Sequence, residues 1–359
     1  MRSNTLLPSL AVLGAGAFAW PTTGGDVTIK SFQLYPENAD YYAKLDRVYI
    51  SVLYNSSVAV WDPTNNVIES IIEFPETNKT EYHASGIEVE AKTGLLSAII
   101  NPGAAFDTSG ADISGDSFLY KIDMKTKKWL WRKNVSKPTE GRYGGCQEAI
   151  HDRHHNTFVL CTYPGAIIKV SADGKTATSW YESNYMKPGE TPQRPGLTGG
   201  VSKDDFLLAV DDESHKLLRF DMREEKGNPV VVPIGKNNED VGLGLDGAYL
   251  PPKYDGQVLL VTSESKEINV IISNDNWKTA EKAGVIKNTY FDNPENNRGF
   301  SVSTVQIGEG DDAPIYSINE YFLDAQDASK PTVPGTLAKD RSEFPLQDIT
   351  KAVDDIVWS

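Results

Sequence analysis

Hydrophobic and polar positions along this chain recur with a period of about 50 residues. Each copy opens beside a glycine, runs into an alternating strand and crosses a polar turn. An apolar strand follows, then a second turn, then a strand ending near Asp, Ser or Asn. The openings read Ser85-Gly86-Ile87-Glu88-Val89, Gly144-Gly145-Cys146-Gln147-Glu148, Thr198-Gly199-Gly200-Val201, Asp246-Gly247-Ala248-Tyr249 and Arg298-Gly299-Phe300-Ser301-Val302. The middle strands are Leu95 to Ile100, Phe158 to Thr162, Phe206 to Val210, Val258 to Thr262 and Ile315 to Asn319. The third strands are Phe118 to Asp123, Ala166 to Ser171, Leu217 to Asp221 and Ile268 to Ser273. A less regular first copy spans Val48 to Ile72. Repeats of this length made only of strands predict a β-propeller, because a sheet of about four strands cannot bury both faces alone and must stack on its neighbours. Six copies fit, so the fold class is all-β, a six-bladed propeller.

The ends and the insertions complete that picture. Val27 to Leu34 alternates and reads as a strand ahead of the first repeat. Leu346 to Val357, with Phe344-Pro345 before it, is expected to hold another short strand. One terminal strand is expected to complete the last blade and hide its edge. Long aperiodic insertions at Asn101 to Ser117, Ser183 to Pro195 and Asp324 to Ser342 are expected to gather on one face and shape a mouth. Local motifs add little. Gly242-Leu243-Gly244-Leu245-Asp246-Gly247 has dinucleotide-loop spacing, but Pro251-Pro252 forbids the helix such a loop needs. Gly115-Asp116-Ser117 and Asp212-Glu213-Ser214-His215 imitate an esterase, yet both fall at blade turns. His151, His154 and His155 read as a solvated turn, and Asp107, Asp112 and Asp116 as an exposed acidic loop.

Charge and the chain start narrow the setting. A formal net charge of -15 over 359 residues argues against nucleic acid or an anionic membrane as partner. Residues 1–19 read as a secretory signal: Arg2, then apolar Leu6 to Phe18, then Ala17-Phe18-Ala19 at the cleavage point. The rest, 20–359, is expected to be one propeller domain, secreted and monomeric, without integral membrane association. Asn55, Asn78 and Asn134 head glycosylation sequons. Cys146 and Cys161 flank a tight turn, which places them opposite each other at about 4.5–5.5 Å between Cα atoms, within disulfide reach.

Candidate chemistry lies where strand ends converge on the propeller mouth. Tyr54, Asn101, Tyr163 and Asn319 end or follow middle strands; His83, Glu148, Arg194 and Asp246 start or precede first strands. All but His83 are ligand-binding candidates. Asp211, Glu264 and Glu320 add carboxyls at strand ends, where half-burial raises a carboxyl pKa toward acid–base use.

Several stretches resemble a known family. They are Ala166-Ile167-Ile168-Lys169-Val170-Ser171-Ala172-Asp173-Gly174-Lys175-Thr176, Gln193-Arg194-Pro195-Gly196-Leu197-Thr198-Gly199, Asp275-Asn276-Trp277-Lys278, Ser51 to Pro63 and Phe344-Pro345-Leu346. They look like a family of secreted fungal six-bladed propellers that includes a major Malassezia allergen and the propeller protein of the trichothecene toxin cluster. Tyr163-Pro164-Gly165 and the acidic loops bring the chain closer to the trichothecene branch. That branch implies a role in sesquiterpenoid toxin formation and virulence. It also implies a cyclase that expels an allylic hydroxyl while another hydroxyl closes a ring, with no cofactor and no metal. Glu264, Glu320, Asp211 and His83 are the catalytic candidates, placed by their expected position at the mouth. The allergen branch implies instead a non-catalytic protein holding a lipid or small apolar ligand. A third reading is a metal-dependent lactonase drawing on Asn101, Asp211, Glu264 and Asn319.

Overall fold

The computed structural model describes residues 24–185, 195–264, 267–292, 298–331, 333–334 and 336–359. The expected signal segment 1–19 and Arg194 lie outside the described residues. Six four-stranded antiparallel sheets form the blades of a propeller. Blades 1 to 5 span 36–72, 82–134, 144–182, 197–231 and 245–287, each from four consecutive strands. Blade 6 takes three strands from 300–348 and borrows Val27–Lys30 as its outermost strand. Val27 pairs with Leu346 and Lys30 with Glu343, so both chain ends make the expected clasp.

Each seam between neighbouring blades holds one apolar cluster. Trp61 and Ile318 belong to the seam of blades 6 and 1, and Phe158, Trp180 and Phe220 to that of blades 3 and 4. Trp277 packs between blades 4 and 5, and Ile315 meets Val258 between blades 5 and 6. Alternation on every strand therefore has a core on both sheet faces, which is why the middle strands read as unbroken apolar runs. Among the described residues no helix is long and apolar enough to cross a membrane.

Two expectations are corrected, and one element is added. Blade 1 opens on Pro36–Tyr42, upstream of the expected start at Val48. Its polar sequence and its lack of a glycine disguise it. The expected short strand Phe344 to Ile349 is present as Glu343–Asp348, and a helix that was not expected, Thr350–Val357, follows it. That helix buries Val353 and sets Ile356 against Gly284, where a Cβ would stand 2.9 Å from Ile356. The histidine turn is not solvated throughout. His151 is 9% exposed, 2.8 Å from Ser97 Oγ and 3.1 Å from the Lys121 ammonium. Lys121 in turn reaches Glu90 at 3.3 Å, and His155 meets the other oxygen of Glu90. This network ties blade 2 to blade 3. Burial first, and the Lys121 charge second, hold the His151 pKa well below its ordinary value.

Candidate active site

The innermost strand of every blade carries a bulge at the same height. The pairing slips between Pro36 and Ala39, Ala84 and Ile87, Cys146 and Glu148, Leu197 and Gly200, Leu245 and Ala248, and Ser301 and Ser303. A bulge re-aims a side chain out of the ladder. Here the re-aimed residues Glu37, Ser85, Gln147, Thr198, Asp246 and Val302 all line one central cavity. Glycine follows the bulge where the next blade presses closest. A Cβ on Gly86 would stand 2.0 Å from the Gln147 carbonyl oxygen, and one on Gly247 2.4 Å from that of Val302. The repeated glycine of the sequence thus marks the backbone contact that sets this ring.

The second strands brace the ring. Asn101 Nδ2 donates to Ser85 Oγ at 2.6 Å and to the Cys146 carbonyl at 2.8 Å. Thr162 Oγ1 donates to the Leu197 carbonyl at 3.0 Å, and Thr262 Oγ1 to that of Val302 at 2.9 Å. Below the ring Asn38 Nδ2 donates across the axis to Glu148 Oε1 at 3.2 Å. Cys146 and Cys161 pair in register and form the expected disulfide, Cα atoms 3.6 Å apart.

Above the ring the cavity measures about 590 Å³, within the ~300–1,000 Å³ span of small-ligand sites. Its walls come from the insertions as anticipated: Phe106, Asp107 and Ser109 from the first, Pro195 from the second, Ala325, Gln326 and Leu337 from the third. Six carboxylates line it, namely Glu37, Asp107, Asp212, Asp246, Glu264 and Glu320, with the aromatic rings of Tyr54, Phe106, Tyr163 and Phe322. Among the described residues lining it there is no Lys or Arg.

Two side chains stand out by their unused atoms. Glu320 is 1% exposed; its Oε2 accepts from the Phe322 N–H at 2.6 Å, while its Oε1 has no partner. Burial, reinforced by the charge of Glu37, holds its pKa well above the ordinary carboxyl value. His83 is buried with its ring edge-on to Tyr54, centroids 5.4 Å apart, and its Nε2 is unpartnered. Burial pulls its pKa down to about 4. Tyr54 joins the two, since its hydroxyl donates to the Phe322 carbonyl at 3.2 Å. Glu37 and Asp246 are open to the cavity but walled by protein on every other side. Burial pushes Glu37 up to about 8, and burial plus neighbouring carboxylates raise Asp246 well above normal.

Of the residues expected at the mouth, Tyr54, His83, Tyr163, Asp246, Glu264 and Glu320 converge on this cavity. The other described ones do not line it. Asp211 is fully buried, held by Tyr185 and Ser214. Asn101 braces the ring, Asn319 donates to the Pro345 carbonyl at 3.2 Å, and Glu148 lies below the ring. Of the four residues that the lactonase reading draws on, only Glu264 opens onto the cavity. Glu37 was missed with its strand. Phe106 sits in the first aperiodic insertion, where only the expectation of a mouth-forming loop pointed to it, and Phe322 falls between the last middle strand and the third insertion, where no expectation covered it. Among the sequons, Asn78 is exposed; Asn134 Oδ1 accepts from the N–H groups of Ser136 and Lys137, and Asn55 Oδ1 from Thr336 Oγ1.

Fold and cavity together define a six-bladed propeller with an acid-lined central mouth of small-molecule size. The chain belongs to the Mal s 1 allergenic protein-like family, whose model matches residues 16–295. It is 27% identical over 384 aligned positions to trichothecene biosynthesis protein 14 of Trichoderma arundinaceum, covering 99% of this chain and 100% of that one. It is 28% identical to core trichothecene cluster protein 14 of Fusarium sporotrichioides, covering 73% of this chain and 74% of the relative. The crystal structure of the Malassezia sympodialis allergen Mala s 1 superposes with a TM-score of 0.73 at 22% identity, covering 90% of this chain and 95% of that one. A luciferin-regenerating enzyme shares the fold more distantly, with a TM-score of 0.55 at 11% identity, covering 90% of this chain and 95% of that one.

Proposed function

We propose that this protein is a secreted, cofactor-free cyclase that closes an oxygen ring on an oxygenated sesquiterpenoid of the trichothecene type. The relatives named for trichothecene biosynthesis support the substrate class. The observation that carries the chemistry is the pair of unpartnered atoms, Glu320 Oε1 and His83 Nε2, on two buried residues that line the cavity. Burial favours the neutral form of both groups: Glu320 then has a proton to give, and His83, pulled down to about 4, has a lone pair to receive one.

The reaction balances on these two groups. Glu320 donates its proton to the allylic hydroxyl, and the C–O bond breaks to release water. The oxygen of the second hydroxyl attacks the allylic carbon and forms the ring bond. Its proton passes to His83 Nε2. Proton return from imidazolium to carboxylate restores the site, so the net change is loss of one water and no oxidant or reductant is needed. Tyr54, Phe106, Tyr163 and Phe322 supply apolar walls that keep other nucleophiles from the allylic carbon.

The direct test uses protein collected from culture medium, incubated with a dihydroxylated trichothecene precursor and followed by mass spectrometry for loss of water and ring closure. Closure faster than in buffer supports the reading. Equal rates with and without protein, alongside calorimetric binding of the precursor, would assign the cavity to a non-catalytic binder of the same compound.

A further inference from the structure

The geometry points to a cation-selective cavity: the mouth recognises positive charge on a compact hydrocarbon frame, whether in a bound organic ammonium ion or in an allylic cation formed during the reaction. This deepens the cyclisation reading, because positive charge builds on the allylic carbon as the hydroxyl leaves. Its support is the wall around the acid–base pair, with which it shares only Glu320.

The first observation is the composition of the wall. Carboxyl groups approach from four blades and from the first insertion, and no described Lys or Arg stands on the lining beside them. The second is the aromatic content. Phe106 and Tyr163 meet edge to face at 5.8 Å, and Tyr54 and Phe322 line the same space. Aromatic faces beside carboxylates form the cage that holds quaternary ammonium groups, because the ring quadrupole attracts a cation that is too bulky to take hydrogen bonds. The third is the unpartnered polar atoms. Thr198 Oγ1, on a residue 6% exposed, and Glu320 Oε1, on a residue 1% exposed, lack any protein partner, and both residues line the cavity. Both are oxygens able to face positive charge. No described lining group offers a fixed cation to a phosphate or carboxylate, so anionic amphiphiles are disfavoured.

For the cyclisation this wall acts on the transition state more than on the substrate. The dihydroxylated substrate is neutral and gains little from it. The developing allylic cation gains the attraction of the ring faces and of the carboxyl oxygens around it, which is differential binding in the sense that lowers a barrier.

The experiment compares three probes on one hydrocarbon cage by calorimetry at pH 7: adamantyltrimethylammonium, adamantanemethanol and adamantanecarboxylate. The ammonium is expected to bind about 10-fold or more tighter than the alcohol, with the carboxylate weakest. Glu264→Gln, at an exposed rim position, and Phe106→Leu should each weaken the ammonium by about 3- to 30-fold. The alcohol affinity should stay nearly constant and so reports that the fold is kept. Alcohol and ammonium of equal affinity, or a carboxylate that binds best, would overturn the inference. The same protein is run in the ring-closure assay. Closure with indifferent probes would leave the cyclase and remove the cation site. Ammonium preference without closure would leave the cation site and remove the cyclase.

Discussion

Burial moves Glu320 and His83 in opposite directions on the pKa scale, yet in both it favours the uncharged form. That sets a pH profile. Turnover should fall on the acid side as His83 protonates near pH 4 and loses its lone pair. It should fall on the alkaline side as Glu320 ionises and loses its proton. Glu320→Gln should lower turnover by about 10²–10⁴-fold and remove the alkaline limb. The circular dichroism spectrum should be unchanged, since Gln still accepts from the Phe322 N–H. Full activity in that variant, or a flat profile from pH 4 to alkali, would rule out the assigned roles. At this scale the sequence located strand ends but not side-chain direction. Glu320 and Asp211 close equivalent strands, and only Glu320 lines the cavity. Asp211 is taken up by Tyr185, whose place depends on an insertion with no periodicity to read.

The elements owe their legibility to two regularities, alternation along strands and a glycine after each bulge. Where both held, at Ser85-Gly86, Thr198-Gly199 and Asp246-Gly247, the blade start was visible in the sequence. Blade 1 places Asn38 in that position, and its opening strand was lost to view together with Glu37 and Asp40. The C-terminal helix went unseen because its eight residues follow a strand directly. Asn101 shows how the bulges are held: one side-chain amide joins the bulge of blade 2 to the backbone of blade 3. Asn101→Ala should strand the Cys146 carbonyl and Ser85 Oγ in a buried place, at a cost of about 2–3 kcal/mol. Urea unfolding with an unchanged slope would measure it. A loss below about 0.5 kcal/mol would mean that the bulge is held without this brace.

The whole molecule carries its strain along the axis. Six carboxyls on or near the inner strands have raised pKa values: Glu37 at about 8, Asp40 at about 6, and Glu88, Glu148, Asp246 and Glu320 well above normal, with burial the leading cause in each. A raised carboxyl holds its proton more tightly folded than unfolded. Its contribution to stability is complete below the unfolded value, near pH 4.5, and is lost as pH rises through the folded one. His83 and His151, both lowered, work the other way; their contribution is complete above about pH 6.5 and is lost as pH falls. The carboxyls outnumber the histidines, so the optimum should be mildly acidic. Melting temperature should be higher at pH 5.5 than at pH 8.5, by roughly 3–5 °C. Glu148→Gln should flatten this slope, because the amide keeps an oxygen for Asn38 Nδ2 and carries no charge at any pH. Scanning fluorimetry of both proteins across this range decides the matter. A melting temperature that is level or rises toward pH 8.5 would show that the axial carboxyls share their charge with solvent more freely than their burial implies.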